Sequence, residues 1–289
     1  MNILLTGVNG LLGSSLASLL VKKNHNVYGI ARDDNYEKIK KVKYIKLDFS
    51  RRWGFKDLPN KIDVIIHLAQ SNQFRNFPDK ASDVFKVNIE STARLLDFCY
   101  KSEVKKFIYT SSGGVYGNSK RPFSEKESII TPGELGYYLG SKASSETLIE
   151  SYSSHFTTII LRPFFIYGPR QNRSMLVPRM IDNIANGNPI FLQGRNGIRI
   201  NPIYVDDAAL SVYKSMQIKK SEIYNIGGPE ILSIKEIAEG ISSYLKTEPN
   251  FQKIPGPALD LISDITKMKK ELHSPEIKIF DTLNFFKTS

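Results

Sequence analysis

Over the first two-thirds of the chain, short apolar, β-branched runs alternate with longer stretches of helical periodicity. Strands are predicted over Asn2 to Thr6, Asn26 to Ala31, Lys43 to Leu47, Asp63 to Leu68, Lys106 to Ser111 and Thr157 to Leu161. Between them, Leu11 to Lys22, Ser82 to Lys101 and Gly136 to Ser154 place apolar side chains at helical spacing, as Leu12, Leu16, Leu19 and Leu20 do. Val64-Ile65-Ile66 shows no alternation, which suits a parallel strand covered on both faces. This succession predicts an α/β fold with a doubly wound parallel sheet. After Leu161 the regularity ends. Pro163, Gly168, Pro169, Pro178, Pro189, Gly194, Gly197 and Pro202 punctuate short elements, and a further strand-and-helix unit runs from Glu222 to Leu245.

The 289 residues, 41% of them hydrophobic, are enough to bury a core. Cys99 is the single cysteine, so no intrachain disulfide can form and a reducing compartment is expected. Met1-Asn2 runs straight into Ile3-Leu4-Leu5 without a secretory pattern, and no apolar run is long enough to span a bilayer. A cytoplasmic protein without membrane contact is expected. The net charge of +11 comes from dispersed lysines such as Lys38, Lys40, Lys41, Lys43 and Lys46, with few interleaved aromatics. That is a solvated basic surface rather than a nucleic-acid interface, although it would favour a phosphate-bearing ligand.

Chemistry enters at Thr6-Gly7-Val8-Asn9-Gly10-Leu11-Leu12-Gly13, which joins the first predicted strand to the first predicted helix. Glycines there permit a tight turn and a close approach of backbone N–H groups to a pyrophosphate, with the helix N-terminus adding partial positive charge. Gly7, Asn9, Gly10, Leu11, Leu12 and Gly13 are therefore cofactor-binding candidates. The spacing is GxxGxxG, and it resembles the turn of the short-chain dehydrogenase/reductase family. At the end of the second strand, where dinucleotide folds place an acid, the chain reads Ala31-Arg32-Asp33. A guanidinium suits a 2′-phosphate, so NADP(H) is favoured, while Asp33 leaves NAD(H) open.

Tyr138-Leu139-Gly140-Ser141-Lys142 puts a phenol and an ammonium four residues apart, on one face of a helix. The ammonium favours phenolate and is expected to lower the phenol's pKa toward working pH. Thr110-Ser111-Ser112-Gly113-Gly114-Val115-Tyr116-Gly117, at the end of the fifth strand, offers hydroxyls at the same edge of the sheet. The four histidines have no ligand spacing, so no metal site is predicted. No G-x-S-x-G elbow follows a strand, which argues against a serine hydrolase.

These motifs occur in one order along nearly the whole chain, and together they resemble the extended branch of the short-chain dehydrogenase/reductase family. His67-Leu68-Ala69, Asn88, Leu161-Arg162-Pro163 with Tyr167-Gly168-Pro169-Arg170, and Tyr204-Val205-Asp206-Asp207-Ala208 resemble further family segments. The resemblance implies a Rossmann-type domain over residues 1–165, with a return segment at about 200–226. It implies a smaller, interleaved substrate lobe over 166–199 and 227–289. It also implies that Tyr138 is the acid/base, that Ser112 is the catalytic hydroxyl, and that Lys142 orients the nicotinamide ribose and tunes Tyr138. Asp48, Leu68, Ala69, Asn88, Ser111 and Pro163 join Arg32, Tyr138 and Lys142 as cofactor contacts. Asp48 has a local alternative as a turn cap. Gly113, Arg170 and Arg199 are expected at the substrate.

The implied activity is hydride transfer at a hydroxyl or keto carbon of a nucleotide sugar, by an epimerase or a 4-keto-reductase. A homodimer is left open. Family dehydratases carry an Asp-Glu pair where this chain has Gly113-Gly114, which weighs against a dehydratase. Many epimerases have asparagine in place of Phe165. The family's late arginine would fall at Ile200, one residue past Arg199, so Arg199 serves only if the local backbone shifts its direction. A non-catalytic NADP-binding regulator of the same fold is the alternative, although such proteins generally lose the tyrosine or the lysine, and this chain keeps both.

Overall fold

The computed structural model describes residues 1–34, 37–130 and 136–286. The chain opens with β1 (Asn2–Thr6), α1 (Leu11–Lys22), β2 (Asn26–Ala31), β3 (Val42–Lys46) and β4 (Val64–His67). It continues with α2 (Ala81–Val84), a π-helical turn (Phe85–Glu90), α3 (Ser91–Lys101), β5 (Lys106–Thr110), a 3-10 turn (Gly113–Tyr116), α4 (Gly136–Glu150) and β6 (Thr157–Pro163). The later elements are β7 (Ile166–Tyr167), α5 (Leu176–Ala185), β8 (Pro189–Gln193), β9 (Arg199–Ile200) and β10 (Ile203–Tyr204). They are followed by α6 (Val205–Ser215), β11 (Glu222–Ile226), β12 (Leu232–Ser233), α7 (Ile234–Leu245), β13 (Asn250–Ile254) and α8 (Thr266–Glu271).

Seven strands form one sheet in the order β11-β6-β5-β4-β1-β2-β3. The chain starts in the middle, winds outward to β3, then returns to β4 and winds the other way, as in a Rossmann-type doubly wound sheet. The pairs β1–β2, β2–β3, β1–β4, β4–β5 and β5–β6 are all parallel. Burial on both faces explains the unbroken apolar runs: Ile3, Leu4, Leu5, Ile65, Ile66, Phe107 and Ile108 are fully buried. Because the strands are parallel and in register, Thr6 lies beside Ile30 and His67, and His67 beside Tyr109. The carboxyl ends of the central strands thus share one edge.

The chain divides into two compact units. The first is Met1–Gly117, Ser128–Arg162 and Ala209–Tyr224; the second is Asn118–Glu127, Pro163–Ala208 and Asn225–Ser289. The first unit ends at Arg162 rather than 165, and its return segment begins at Ala209 rather than 200. Asn118–Glu127 joins the second unit because Ser119 and Phe123 form β-bridges to Asp260 and Ser263. That unit also holds three two-stranded pairings: β7 with β10, β9 with β12, and β8 with β13. Its α7 begins in a capping box, with the Ser233 side chain accepting from the Glu236 N–H while Glu236 accepts from the Ser233 N–H.

The predicted helix over Ser82 to Lys101 is instead broken by the π-helical turn. The reason lies in Asn88, which is buried there and spends its side chain on tertiary bonds. Its Oδ1 accepts from the Ser71 N–H at 2.9 Å, and its Nδ2 donates to Ser141 Oγ at 2.8 Å. A wide turn lets a polar side chain reach both partners. Among the described residues, no helix is long and apolar enough to cross a membrane.

Candidate active site

The turn after β1 is built by its glycines. Gly7 takes φ +69°, in the left-handed region. A Cβ on Gly13 would lie 2.0 Å from the Gly7 carbonyl oxygen, so only hydrogen fits where α1 packs under the turn. Gly10 caps α1 with its N–H bonded to the Gly7 carbonyl at 3.0 Å and contributes no side-chain cap. Asn9 and Gly10 are exposed, while Leu11 and Leu12 are half-buried. The first N–H groups of α1 therefore have no side-chain cap at Gly10, as an anion cradle requires.

Thr6 and His67, neighbours on β1 and β4, fix the strand ends. Thr6 Oγ1 accepts from the Ala69 N–H at 3.0 Å and donates to His67 Nδ1 at 2.7 Å. That direction is set at the far side of the ring, where the Thr92 hydrogen is spent on the Asn88 carbonyl and Nε2 must carry the proton. His67 Nε2 then donates to Thr92 Oγ1 at 3.1 Å, and Thr92 donates to the Asn88 carbonyl. Burial, assisted by the Lys142 charge, pushes His67 down to about 3. His67 is a neutral, structural imidazole that ties the sheet to α3 and the π turn. Leu68 and Ala69 follow it half-buried, and Gln70 is exposed.

On α4, Tyr138 and Lys142 share a face, with Lys142 Nζ 5.9 Å from the Tyr138 ring centroid and 5.0 Å from that of Tyr109. Lys142 is fully buried and donates to the Thr110 carbonyl at 2.9 Å. Burial pushes its ammonium down to about 7, with Glu146 pulling upward. Tyr138 is half-buried, and burial raises its phenol above the ordinary range while the Ser112 hydroxyl pulls it back. The lowering expected from the neighbouring ammonium does not prevail, because desolvation is the larger influence on this phenol. The phenol itself donates to Gln70 Oε1 at 3.0 Å.

Ser112 opens the 3-10 turn and accepts from the Gly114 N–H at 3.1 Å. A Cβ on Gly114 would approach Leu139 Cδ2 to 2.9 Å, so the turn packs directly on α4 beside Tyr138. The buried Ser111 Oγ has no hydrogen-bond partner among the described residues, which fits a polar ligand group arriving there. A buried ion pair holds this edge together. Arg162 at the end of β6 donates to Glu146 of α4 at 2.5–3.2 Å and to the Tyr116 hydroxyl at 2.5 Å. The cradle at Gly7 and Gly13 and the partnerless Ser111 hydroxyl fit a dinucleotide cofactor.

The remaining candidates are placed as follows. Arg32 is exposed and engages Asp33 at 3.5 Å and Asn72 at 3.4 Å. Asp48 caps its own turn, accepting from the N–H and hydroxyl of Ser50. Pro163 ends β6 and starts the second unit. In that unit Arg170 is exposed with φ +64°, and Arg199 pairs with Asp260 through Nε at 2.9 Å and Nη2 at 2.6 Å. Gln70 is not among the residues that the motifs single out; its one signal is a polar side chain three residues past the end of β4.

Residues 3–227 match the model of the NAD dependent epimerase/dehydratase family. A protein called an uncharacterized UDP-glucose epimerase YtcB, of Bacillus subtilis (strain 168), is 30% identical over 302 residues, covering 94% of this chain and 92% of its own length. A UDP-N-acetyl-alpha-D-glucosaminuronate decarboxylase of Bacillus cytotoxicus is 29% identical over 293 residues, covering 92% and 90%. The structure of a UDP-glucuronic acid 4-epimerase from Bacillus cereus, in complex with UDP-glucuronic acid and NAD, superposes with a TM-score of 0.86. It is 27% identical and covers 98% of this chain and 97% of that one. Fold, ordered motifs and these likenesses agree, and the chain belongs to the NAD dependent epimerase/dehydratase family.

Proposed function

We propose that this protein is an NAD-dependent nucleotide-sugar epimerase that inverts the hydroxyl-bearing carbon 4 of a UDP-sugar. The observation that carries the reading is the meeting of Ser112, Tyr138 and Lys142 at the carboxyl edge of the sheet, with Lys142 buried against the Thr110 carbonyl. The backbone of Gly7 to Gly13 and the α1 N-terminus hold the pyrophosphate. Arg32 with Asp33 faces the adenosine ribose, and Asp48 the adenine. Leu68, Ala69 and Ser111 line the nicotinamide end, and the buried Asn88, predicted as a cofactor contact, instead supports them from behind because Ser71 and Ser141 take its amide.

NAD, when bound, supplies the acceptor and donor of hydride. Tyr138 Oη takes the proton of the sugar hydroxyl and later returns it, Ser112 Oγ holds that oxygen, and Lys142 Nζ holds the ribose and favours phenolate. Gly113-Gly114 offers no proton donor, so eliminating water is not supported. Arg170 and Arg199 of the second unit are assigned to the diphosphate, where a planar guanidinium fork suits phosphate oxygens. Asp260 Oδ2 accepts from both Nε and Nη2 of Arg199 and fixes the orientation of the guanidinium, so Nη1 is the group it presents to phosphate.

The NADP(H) preference suggested by Arg32 gives way to NAD. Asp33 stands beside the guanidinium and can take a ribose hydroxyl, and the Bacillus cereus structure has NAD. Incubating the protein with NAD and either UDP-glucose or UDP-glucuronate, then resolving products chromatographically, tests the reading. A stable mixture of 4-epimers without net NADH is expected. In a second incubation, stoichiometric oxidation of added NADH or NADPH by a 4-keto nucleotide sugar would make the protein a reductase instead. Affinity for NADPH more than about tenfold above that for NADH would restore the role of Arg32.

A further inference from the structure

The Tyr138 phenol has a partner outside the family triad. Its hydroxyl lies 3.0 Å from Gln70 Oε1, and because an amide carbonyl only accepts, the phenol is the donor. This is no chance surface contact. The backbone at Gln70 is held on both sides: the Ala69 N–H donates to Thr6 Oγ1 and the Ser71 N–H to Asn88 Oδ1. Asn88 Nδ2 in turn reaches Ser141 Oγ, which donates to the Tyr138 carbonyl at 2.7 Å. The rings of the same segment grip the same turn of helix. Phe74 packs on Tyr138 at 4.9 Å and Phe77 stacks on Tyr137 at 4.8 Å. Gln70 is thereby registered to the phenol through buried bonds, while its own amide is exposed and makes no other hydrogen bond among the described residues.

An acid/base tyrosine must exist both as phenol and as phenolate. A lone acceptor stabilises only the first and would hinder the second. An amide differs, because a half-turn about its terminal bond exchanges carbonyl for NH2, and with no other bond to break the exchange is free. We propose that Gln70 is a positioning residue that holds the Tyr138 hydroxyl in both protonation states, its carbonyl accepting from the phenol and its rotated NH2 donating to the phenolate. The inference rests on the acid/base reading of Tyr138. The other groups facing this phenol are Lys142 on its own helix, the Ser112 hydroxyl, Tyr109 from β5 and the Phe74 ring, which carries the Arg75 guanidinium 5.2 Å from its centroid. His67 of β4 is neutral above about 3.

Gln70→Glu tests this with little change of shape, since it exchanges the NH2 donor for a second acceptor. With NAD and a UDP-sugar, the acid limb of the kcat/KM profile should move up by about one pH unit, and kcat at pH 7 should fall about tenfold. Tm and NAD affinity should match the wild type. Gln70→Met, which can neither accept nor donate, should lower kcat with a smaller displacement. In protein labelled with ¹³Cζ-tyrosine, the resonance absent from Tyr138→Phe should shift in both Gln70 variants, whether or not a substrate is present. Unchanged pH profiles and an unchanged Tyr138 resonance, alongside an inactive Tyr138→Phe, would overturn the role of Gln70 and leave the acid/base reading standing. Full activity in Tyr138→Phe would overturn both.

Discussion

Lys142 and Tyr138 are displaced by burial in opposite chemical senses, the ammonium down to about 7 and the phenol up, so each is held toward its neutral form. For Lys142 this has a measurable consequence. Between about pH 7 and 10.5 the unfolded chain keeps a proton that the folded chain has lost, so stability from this site rises with pH across that window. Below the window the full cost of burying the charge remains. Lys142→Met should therefore abolish turnover and yet raise Tm at pH 7 by at least about 3 °C, a gain that shrinks as the pH approaches 10. A variant less stable than wild type at pH 7 would contradict the account. Phe165 bears on stability in another way. It sits at φ +49°, a conformation asparagine tolerates far better, at the position where many epimerases have asparagine. Phe165→Asn should raise stability by about 0.5–1 kcal/mol in denaturant titrations; a loss of more than that would show that packing of the phenyl ring outweighs its backbone strain.

The elements most legible in the sequence are those whose chemistry is local. β1, the glycine turn and α1 follow from an apolar run, three glycines and helical spacing, and the tyrosine and lysine of α4 meet because they are one turn apart. Gly13 illustrates how strict the local requirement is. Gly13→Ala would place its methyl 2.0 Å from the Gly7 oxygen, so it should lower both Tm and NAD affinity, the latter by about tenfold or more in calorimetry. Binding equal to wild type would remove the turn from the cofactor site. What was not legible depends on distant partners. The π turn arises because Asn88 reaches Ser71 and Ser141, and no periodicity announces it. The Arg199–Asp260 pair joins residues 61 apart in sequence. Gln70 reads as an ordinary polar loop residue until the fold brings it to Tyr138.

The two units divide the labour proposed for them. The first holds the sheet, the glycine turn and the Ser112, Tyr138 and Lys142 group; the second carries Arg170 and Arg199. The net charge of +11 suits attraction of a doubly anionic nucleotide sugar to either unit, and rate constants for association should fall as salt rises. Fold and family place the chain among nicotinamide enzymes, whereas epimerisation at carbon 4 depends on the same hydrogen leaving and returning to the sugar. A UDP-sugar bearing deuterium at carbon 4 decides it. Incubated in ordinary water with the NAD-loaded protein, it should yield the 4-epimer with deuterium still on carbon 4, read by mass spectrometry and proton NMR. Epimer formed with loss of that deuterium to water, or no epimer from any UDP-sugar that binds, would contradict the account.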